Sequence, residues 1–455
     1  MDLEQRVIRL NEIEAFTGKC VLYVMSRDQR VHDNHALQYA QSIALKQRVP
    51  MAVVFCLKPN IKNRSKEQYS WMIDGLTQVE DNLKNLHIPF MMLVGKPLDT
   101  LTGLMHHTSP GAVIFDMSPL RGPRKLQQSI ADAAPCPVYV VDTHNVVPVW
   151  QVSYKQEYAA RTIRSKVQRL MPEYLEEATA MTKHPYAWPG VVKDIKQLSP
   201  IIKDVLKSIP HSGQKISYIS GERAAKERLD AFIKNKLRGY AINRNDPAKD
   251  GQSNLSPYLH FGQLSKLRIT LEIYSAISAD NSLQEDGAVF MEELNVRSSL
   301  SDNFCYYNYS YDSLTGAADW AQKTLQDHSK DPREFVYTLS QFESASTHDE
   351  AWNAAQLQLT RTGKMHGYMR MYWAKKVLEW SASPGEAHKT LIRLNDFYSL
   401  DGNDPNGYVG ILWSIAGLHD RPWFSRPVYG TVRYMNYNGL KRKFKIDTYI
   451  EQCHA

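Results

Sequence analysis

Residues 349–420 concentrate side chains whose types suit a bound planar cofactor. Four tryptophans and four polar residues fall in this stretch: Trp352, Trp373, Trp380, Trp413, Arg370, Asn395, Asp401 and Asp404. Trp373 and Trp380 are seven residues apart, so a helix places them on one face, about 10 Å apart. Such a row can conduct electrons between a cofactor and solvent. An ordinary helical core has the same composition, and spacing alone favours that simpler interpretation.

A second candidate site lies in residues 240–262, where a loop of small polar residues leads into a helix. The loop residues are Ser253, Asn254 and Ser256. Ser256-Pro257 indicates a helix start, because serine caps free amides and proline suits the first turn. Helix N-termini attract phosphate, and Arg244 adds positive charge. A capped helix without a ligand explains the same residues equally well.

A third candidate is the helical segment 291–308, which contains Glu293 and Arg297 at a spacing of four residues. On a helix this spacing places both side chains on one face, where they form an exposed ion pair. The functional alternative places Glu293 at the floor of a pocket, hydrogen-bonded to the carbonyl of a base. The sequence by itself favours the ion pair.

The elements that must position these residues follow from apolar periodicity. Short apolar runs at residues 21–25, 52–56, 90–94, 112–115 and 138–141 alternate with helical patterns. Runs that are apolar on both faces indicate buried parallel strands, so we predict a Rossmann-like, doubly wound α/β domain. Its ligand-binding edge would include the loop of residues 26–30. No G-x-G-x-x-G or P-loop motif follows any strand.

The second half of the chain lacks strand-like alternation and is predicted to be all-α. We therefore divide the chain into an α/β domain (1–165), a linker rich in Pro, Ser and Gly (166–220) and a helical domain (221–455). The formal charge of +7, from 55 basic and 48 acidic residues, permits an anionic partner.

Cysteine usage and hydropathy indicate a protein of a reducing compartment. The five cysteines are scattered and form no CxxC motif, which disfavours both a disulfide framework and a zinc site, so we expect no metal. The N-terminus has no apolar signal core, and no apolar run reaches the roughly 18 residues that span a bilayer. We expect a cytoplasmic protein without a membrane partner, associated with the nucleoid if the source is prokaryotic.

Six motifs resemble those of class II cyclobutane pyrimidine dimer photolyases, in the cryptochrome/photolyase family. They are MSRDQR (25–30), RNDP (244–247), SNLSPYLHFG (253–262), LSDNFCYYN (300–308), KMHGYMRMYWAKKVLEW (364–380) and LDGNDPNGY (400–408). The similarity covers residues 20–450. It implies an N-terminal antenna domain and a C-terminal helical domain that binds FAD, with an antenna chromophore of the 8-hydroxy-deazaflavin type as a further possibility.

The resemblance also assigns cofactor residues one by one. The FAD phosphates would be bound by Tyr240, Gln252, Ser253, Asn254, Leu255 and Ser256. Arg370, Asp401 and Asp404 would surround the isoalloxazine and ribityl groups. Asn395 would face flavin N5 and favour the reduced cofactor.

The remaining assignments concern electron transfer and DNA. By resemblance, Trp373, then Trp352, with Trp380 beside them, would form the relay used in photoreduction. Trp413 would stack on the flipped dimer, and Glu293 would hydrogen-bond its base carbonyls. Arg244 and Arg297 would lie on the DNA side.

The resemblance implies a carbon–carbon lyase that uses light to repair cyclobutane pyrimidine dimers in UV-damaged DNA. Reduced FAD would be the electron donor, and the enzyme would be a monomer. The alternative is a cryptochrome-like blue-light photoreceptor. The presence of Glu293 and Trp413, and the lack of a long tail after residue 450, favour repair. One departure is Ser298-Ser299, where the family usually has a basic and then an acidic residue. The absence of these two charges is expected to remove an ion pair near the dimer site.

Overall fold

The computed structural model describes residues 3–59 and 61–454. Six strands form one sheet: β1 Val7–Arg9, β2 Cys20–Met25, β3 Met51–Leu57, β4 Phe90–Val94, β5 Pro110–Asp116 and β6 Val138–Val141. Their order is β1-β6-β5-β2-β3-β4. Strands β2 to β6 are parallel, whereas β1 pairs antiparallel with β6 at one edge. The five predicted strands are confirmed, and the short edge strand β1 was not predicted.

Helices cover both faces of this sheet. They are α1 His35–Gln47, α2 Lys66–Asn85, α3 Pro97–Thr108, α4 Arg121–Ala133, α5 Val149–Val152 and α6 Ala160–Tyr174. Alternate residues of β2 enter different cores: Tyr23 packs with the α1–α2 side, and Leu22 packs with the side of α3 and α4. Because the central strands β2 and β5 are buried along their whole length on both faces, their sequences are almost continuously apolar. The doubly wound α/β fold is confirmed.

The rest of the chain is helical, as predicted. Its helices are α7 Ser199–Lys207, α8 Glu222–Asn235, α9 Tyr240–Asn243, α10 Ser256–His260, α11 Lys266–Ala279, α12 Gln284–Met291, α13 Ser298–Tyr307, α14 Asp319–Asp327, α15 Leu339–Glu343, α16 Glu350–Thr362, α17 Gly367–Glu379, α18 Pro384–Tyr398, α19 Pro405–Ala416, α20 Tyr437–Lys443 and α21 Ile446–His454. Three short 3₁₀ turns, Asn281–Leu283, Leu314–Gly316 and, before β1, Leu3–Arg6, complete the described helical structure. A π-helical turn, Glu292–Arg297, joins α12 to α13.

The segment between the two halves is attached to both of them. The predicted boundary at residue 165 falls inside α6, and α7 lies within the predicted linker. Farther along, Gln214 is buried and its side-chain amide donates to the Leu359 carbonyl of α16. The division into domains stays a prediction. In the described ranges, 3–59 and 61–454, no helix combines the length and the apolarity needed to cross a membrane.

Candidate functional site

Helices α17 and α18 and the loop after α18 bring three of the predicted cofactor residues together. The Arg370 guanidinium on α17 donates to the Asp401 carboxylate at 3.0 Å and to Asn395 Oδ1 at 3.3 Å. Asn395 is buried on α18, and its amide nitrogen donates to Asp396 at 3.0 Å. Gly407 leaves room for the Asn395 side chain, because a Cβ at position 407 would lie only 2.8 Å from Asn395 Nδ2. The three side chains thus form one hydrogen-bonded group.

The polar loop of residues 253–256 leads into α10 as predicted, but the predicted cap is wrong. Ser256 is the first residue of the helix rather than its cap, and no side chain caps α10. The Ser256 hydroxyl instead accepts a hydrogen bond from Lys364 Nζ at 2.7 Å. The preceding Asn254 has a left-handed backbone, with φ of 58°. The first amides of α10 therefore have no side-chain acceptor, which leaves them available to an anion.

Lys364 is a site residue that sequence reasoning missed. Burial lowers the pKa of Lys364 to about 8, against the opposing effect of Asp401. Burial alone would raise the pKa of Asp401, but Arg370 and Lys364 hold it well below its usual value. Both cations therefore act on Asp401, and Lys364 also holds Ser256 at the start of α10. The signal in the sequence was the position of Lys364 at the start of the KMHGYMRMYWAKKVLEW motif.

Asp404 lies at the start of α19 and caps that helix. Its carboxylate accepts from the Asn406 amide at 2.9 Å and lies 3.0 Å from His260 Nδ1. Burial alone would raise the pKa of Asp404, but the hydrogen bond with His260 and the charge of Arg27 keep it well below its usual value. Asp404 is thus an ionised carboxylate beside the cofactor residues and is also part of the contact between the two halves.

These residues fit a flavin dinucleotide. The uncapped amides at α10 and the Lys364 ammonium match a pyrophosphate, which needs N–H donors and positive charge. The buried Asn403 Nδ2 has no hydrogen-bond partner in the described part of the chain, so it is a donor available to a ligand. Gln252 lies beside the start of α17, because its side-chain nitrogen would be 3.1 Å from a Cβ on Gly367.

The three tryptophans form a continuous row. The rings of Trp352 and Trp373 are stacked at 10°, with centroids 6.5 Å apart, and those of Trp352 and Trp380 meet edge to face at 6.1 Å. All three are buried. Trp352, on α16, thus lies against both of the others. Trp373 follows Arg370 by one helical turn, so this end of the row is nearest the cofactor residues.

Glu293 belongs to the π-helical turn and does not pair with Arg297. Its carboxylate accepts from the Arg244 guanidinium and, at 2.6 Å, from the Tyr240 hydroxyl. The predicted pair of Glu293 with Arg297 is therefore wrong, and the side chain of Arg297 is exposed. The Tyr240 hydroxyl is thus held by Glu293, and the predicted contact of Tyr240 with the FAD phosphates stays a prediction. Glu293 is thus a half-buried carboxylate that is held by two hydrogen-bond donors.

The neighbouring Glu292 points to a different partner. It forms a two-pronged ion pair with Arg164 of α6, at 2.9 and 2.7 Å. Ser298 also lies away from the Glu293 group. It is buried against Lys266, whose ammonium donates to the Ser298 hydroxyl at 2.5 Å and to Asn145 at 3.0 Å. The departure from the family pattern at Ser298 thus falls at the contact between the two halves, and the effect of Ser298-Ser299 at the dimer site stays a prediction.

Trp413 lies on α19 and lines a cavity of about 320 Å³. The cavity is also lined by Met371, Lys375, Asp420 and Arg433. Lys375 is buried and donates to the Ser414 carbonyl at 2.7 Å. Burial and the nearby Arg433 lower the pKa of Lys375 to about 7. Trp413 is therefore a half-buried ring in a pocket with basic walls, but no described hydrogen bond joins it to Glu293.

A loop after α19 presents aromatic and basic side chains that sequence reasoning missed. Phe424 is 90% exposed and Trp423 is 41% exposed. The guanidinium groups of Arg421 and Arg433 lie over the Trp423 ring, 6.0 and 5.0 Å from its centroid. We call residues 421–433 the arginine–tryptophan loop. Its composition, RPWFSRPVYGTVR, was the available signal, since arginine and exposed aromatic rings favour nucleic acid.

The loop of residues 26–30, predicted to belong to a ligand-binding edge, contacts the helical half. Arg27 forms a two-pronged ion pair with Asp302 at 2.8 and 2.9 Å. Arg30 donates to the Gly262 carbonyl at 2.9 Å. Gly262 has φ of 63°, and a Cβ there would collide with the backbone of Arg27 and Asp28. Beside this contact, a cavity of about 640 Å³ is lined by Arg30 and residues of both halves.

Comparison with known proteins agrees with this architecture. Residues 21–185 match the DNA photolyase family profile. A deoxyribodipyrimidine photo-lyase of Potorous tridactylus is 45% identical over 94% of this chain and 80% of that protein. One of Methanothermobacter thermautotrophicus is 38% identical over 99% of this chain and 98% of that protein.

Two solved structures share the fold at low sequence identity. A class III photolyase of Agrobacterium tumefaciens has a TM-score of 0.73 at 20% identity, covering 96% of this chain and 87% of that one. A cryptochrome of Synechocystis has a TM-score of 0.72 at 14% identity, covering 95% and 88%. The fold is thus that of photolyases and cryptochromes. On sequence identity and coverage, the chain belongs to the DNA photolyase family.

Proposed function

We propose that the protein is a DNA repair enzyme that uses light to split cyclobutane pyrimidine dimers. The observation that carries the proposal is the Glu293 group, in which a half-exposed carboxylate is held by Tyr240 and Arg244. A carboxylate so placed can accept hydrogen bonds from the N–H groups of the two thymines of a dimer. The names of the relatives, which match nearly the whole chain, support the same reaction.

FAD is the proposed cofactor, and in its reduced form it would supply the electron that opens the cyclobutane ring. The residues proposed to hold it are Tyr240, Gln252, Ser253, Asn254, Leu255, Ser256, Lys364, Arg370, Asn395, Asp401 and Asp404. Of these, Lys364 beside Ser256 would offset the charge of the phosphates. Arg370 would lie beside the flavin ring with Asn395, whose buried amide is fixed by its neighbours.

The proposed DNA surface consists of Arg244, Arg297, Trp413 and the arginine–tryptophan loop. A dimer is already poorly stacked and paired, so extruding it from the duplex costs less free energy than extruding an intact base pair. Trp413 would then stack against the extruded bases, while Arg421 and Arg433 contact phosphates. Phosphate contacts of this kind carry no sequence information, so the lesion would set the specificity.

The tryptophan row is proposed to serve photoreduction of the oxidised cofactor. Electrons would pass to the cofactor through Trp373, which is nearest Arg370, and be replaced through Trp352 and Trp380. The three rings are buried and neighbouring centroids lie about 6 Å apart, so little water has to reorganise during each electron transfer. The row therefore maintains the repair-competent state, and it need not take part in splitting the dimer.

The alternative is a blue-light photoreceptor, since a cryptochrome shares the fold. The Glu293 group favours repair, because signalling does not need a carboxylate positioned for pyrimidine edges.

We also propose an antenna chromophore of the 8-hydroxy-deazaflavin type. The cavity of about 640 Å³ beside Arg30 has a size typical of ligand sites. A monomeric state and a cytoplasmic location stay predictions.

A light-dependent repair assay tests the proposed function. Chemically reduced protein is mixed with UV-irradiated DNA and kept either in the dark or under near-UV to blue light, and remaining dimers are counted. We expect the dimers to disappear only in the light. If they persist while the bound flavin still photoreduces normally, the photoreceptor alternative is favoured and the repair proposal fails.

A further inference from the structure

The tryptophan row continues beyond Trp380 to a tyrosine–histidine pair. The Tyr337 ring meets the Trp380 ring edge to face, with centroids 5.8 Å apart, and the His348 ring lies 4.9 Å from Trp380. The Tyr337 amide also donates to the Trp380 carbonyl at 3.0 Å. Tyr337 is therefore fixed against the end of the row that is farthest from Arg370.

The hydroxyl group of Tyr337 has a base positioned to take its proton. The backbone amide of His348 donates to the Tyr337 oxygen at 3.0 Å, so the hydroxyl hydrogen is directed to another acceptor. His348 Nδ1 lies 2.8 Å from that oxygen. The imidazole stacks on Phe335, with centroids 3.8 Å apart, and is exposed to solvent. A proton received by His348 can therefore leave to water.

A second tyrosine near the row is less suited to lose an electron. The hydroxyl of Tyr372 donates to Asp349, and both residues are buried. Asp349 already caps α16 by accepting from the Trp352 amide at 2.8 Å, so protonating it would weaken the cap. The Lys376 ammonium also lies 5.7 Å from the Tyr372 ring centroid. A positive charge there opposes the formation of an electron hole.

The charges around Trp380 favour passing the hole onward. The Lys376 ammonium lies 5.4 Å from the Trp380 ring centroid and forms an ion pair with Glu379 at 2.5 Å. Although Glu379 offsets part of this charge, the ammonium is the group that lies over the ring. A radical cation on Trp380 is thereby disfavoured relative to a neutral radical on Tyr337, since the latter releases its proton.

We propose that Tyr337 is the terminal electron donor of the relay and that His348 is its proton acceptor. This inference rests on the proposed role of the tryptophan row. The Tyr337 phenol gives one electron to the Trp380 radical cation, which returns to neutral tryptophan. At the same time the O–H bond breaks and its proton moves to His348 Nδ1, leaving a neutral tyrosyl radical and an imidazolium. A soluble thiol then returns one electron and one proton to the tyrosyl radical.

Flash excitation of the oxidised holoenzyme, followed by optical and paramagnetic-resonance detection of radicals, tests the proposal. We expect a neutral tyrosyl radical in the unmodified protein and in Tyr372→Phe, and its loss in Tyr337→Phe. In Tyr337→Phe the tryptophan radical should persist several-fold longer. Replacing water by deuterium oxide should slow the formation of the tyrosyl radical. A tyrosyl signal that survives Tyr337→Phe, or that is lost in Tyr372→Phe alone, would overturn the assignment.

His348→Ala tests the proton acceptor independently. We expect slower formation of the tyrosyl radical and recovery when imidazole is added, which a purely structural role would not produce. Absence of both effects would remove His348 from the proposal. Trp352→Phe separates the relay from its terminus. If this variant photoreduces at the normal rate, the relay and the Tyr337 role both fail. If Trp352→Phe photoreduces slowly but the unmodified protein forms no tyrosyl radical, the relay stands and only the proposed role of Tyr337 fails.

Discussion

At the scale of single residues, neighbouring groups decide what each candidate side chain can do. Lys364 is a basic residue whose pKa is lowered to about 8 by burial, and its ammonium donates to Ser256 at the start of α10. Glu293 and Glu292 are adjacent in sequence, yet they pair with Arg244 and Arg164, respectively. The sequence provided the residue types, and only the fold shows these partners.

Lys364 is predicted to make flavin affinity depend on pH. A bound pyrophosphate favours the protonated ammonium and so raises its pKa above the value of about 8 in the free protein. Affinity should therefore be highest below pH 8 and fall as the pH rises above it, where binding requires uptake of a proton. Lys364→Gln should weaken binding about 10-fold, or roughly 1.4 kcal/mol, and flatten this dependence. Flavin titration of the apoprotein measures both effects, with the exposed Lys389→Gln as the control.

A pair of adjacent glutamates provides a matched test of the DNA site. Glu293→Gln should reduce light-driven repair about 10-fold, the effect of losing a hydrogen bond from a charged group worth roughly 1.5 kcal/mol. Glu292→Gln, which only loses its ion pair with Arg164, should repair normally. Flavin content should be unchanged in both variants. Equal losses of repair in the two variants would contradict the proposed role of Glu293.

At the scale of elements, the irregular segments are the ones that carry the candidate site. The parallel strands and the helical character of the second half could be predicted, because burial imposes a simple periodicity on their residues. The π-helical turn Glu292–Arg297 breaks that periodicity, so the four-residue spacing wrongly paired Glu293 with Arg297. Strand β1 is too short for a pattern, and its position depends on pairing with β6. Similarly, Ser256 resembles a cap, but Lys364 from a distant segment holds its hydroxyl.

The arginine–tryptophan loop is predicted to bind DNA phosphates. Arg433→Ala should weaken binding to damaged and undamaged DNA alike. It should also reduce the slope of log affinity against log salt concentration by about 0.9, the value for one lost phosphate contact. Arg223→Ala, at an exposed arginine of α8, should leave the slope unchanged. Fluorescence anisotropy at several salt concentrations measures the slopes, and an unchanged slope for Arg433→Ala would exclude a phosphate contact.

At the scale of the whole molecule, the two halves share buried polar contacts. Arg27 from the α/β half pairs with Asp302 of α13, and Asn145 donates to the same carboxylate at 2.9 Å. Lys266 joins Asn145 to Ser298 in the same region. The sequence marked residues 26–30 as a ligand-binding edge. Their actual role depends on the docking of a second domain, which no local pattern contains.

Breaking the Arg27–Asp302 pair is predicted to destabilise the whole protein. Either Arg27→Met or Asp302→Asn leaves one buried charge without its partner, at a cost of about 3–5 kcal/mol in the free energy of unfolding. The double variant should lose clearly less than the sum of the single variants, because neither charge remains. Urea denaturation of the four proteins measures these values. Additive losses would show that the two side chains do not interact.

Electron donation from the reduced cofactor to a pyrimidine dimer can be followed after a single light flash. Reduced holoenzyme is bound to an oligonucleotide with one thymine dimer, and the ultraviolet absorbance of thymine is followed. We predict that the flash restores thymine absorbance in the oligonucleotide and that an identical sample without a flash does not change. If the absorbance stays constant after the flash although the dimer is bound and the cofactor is reduced, the account of this protein as a repair enzyme is contradicted.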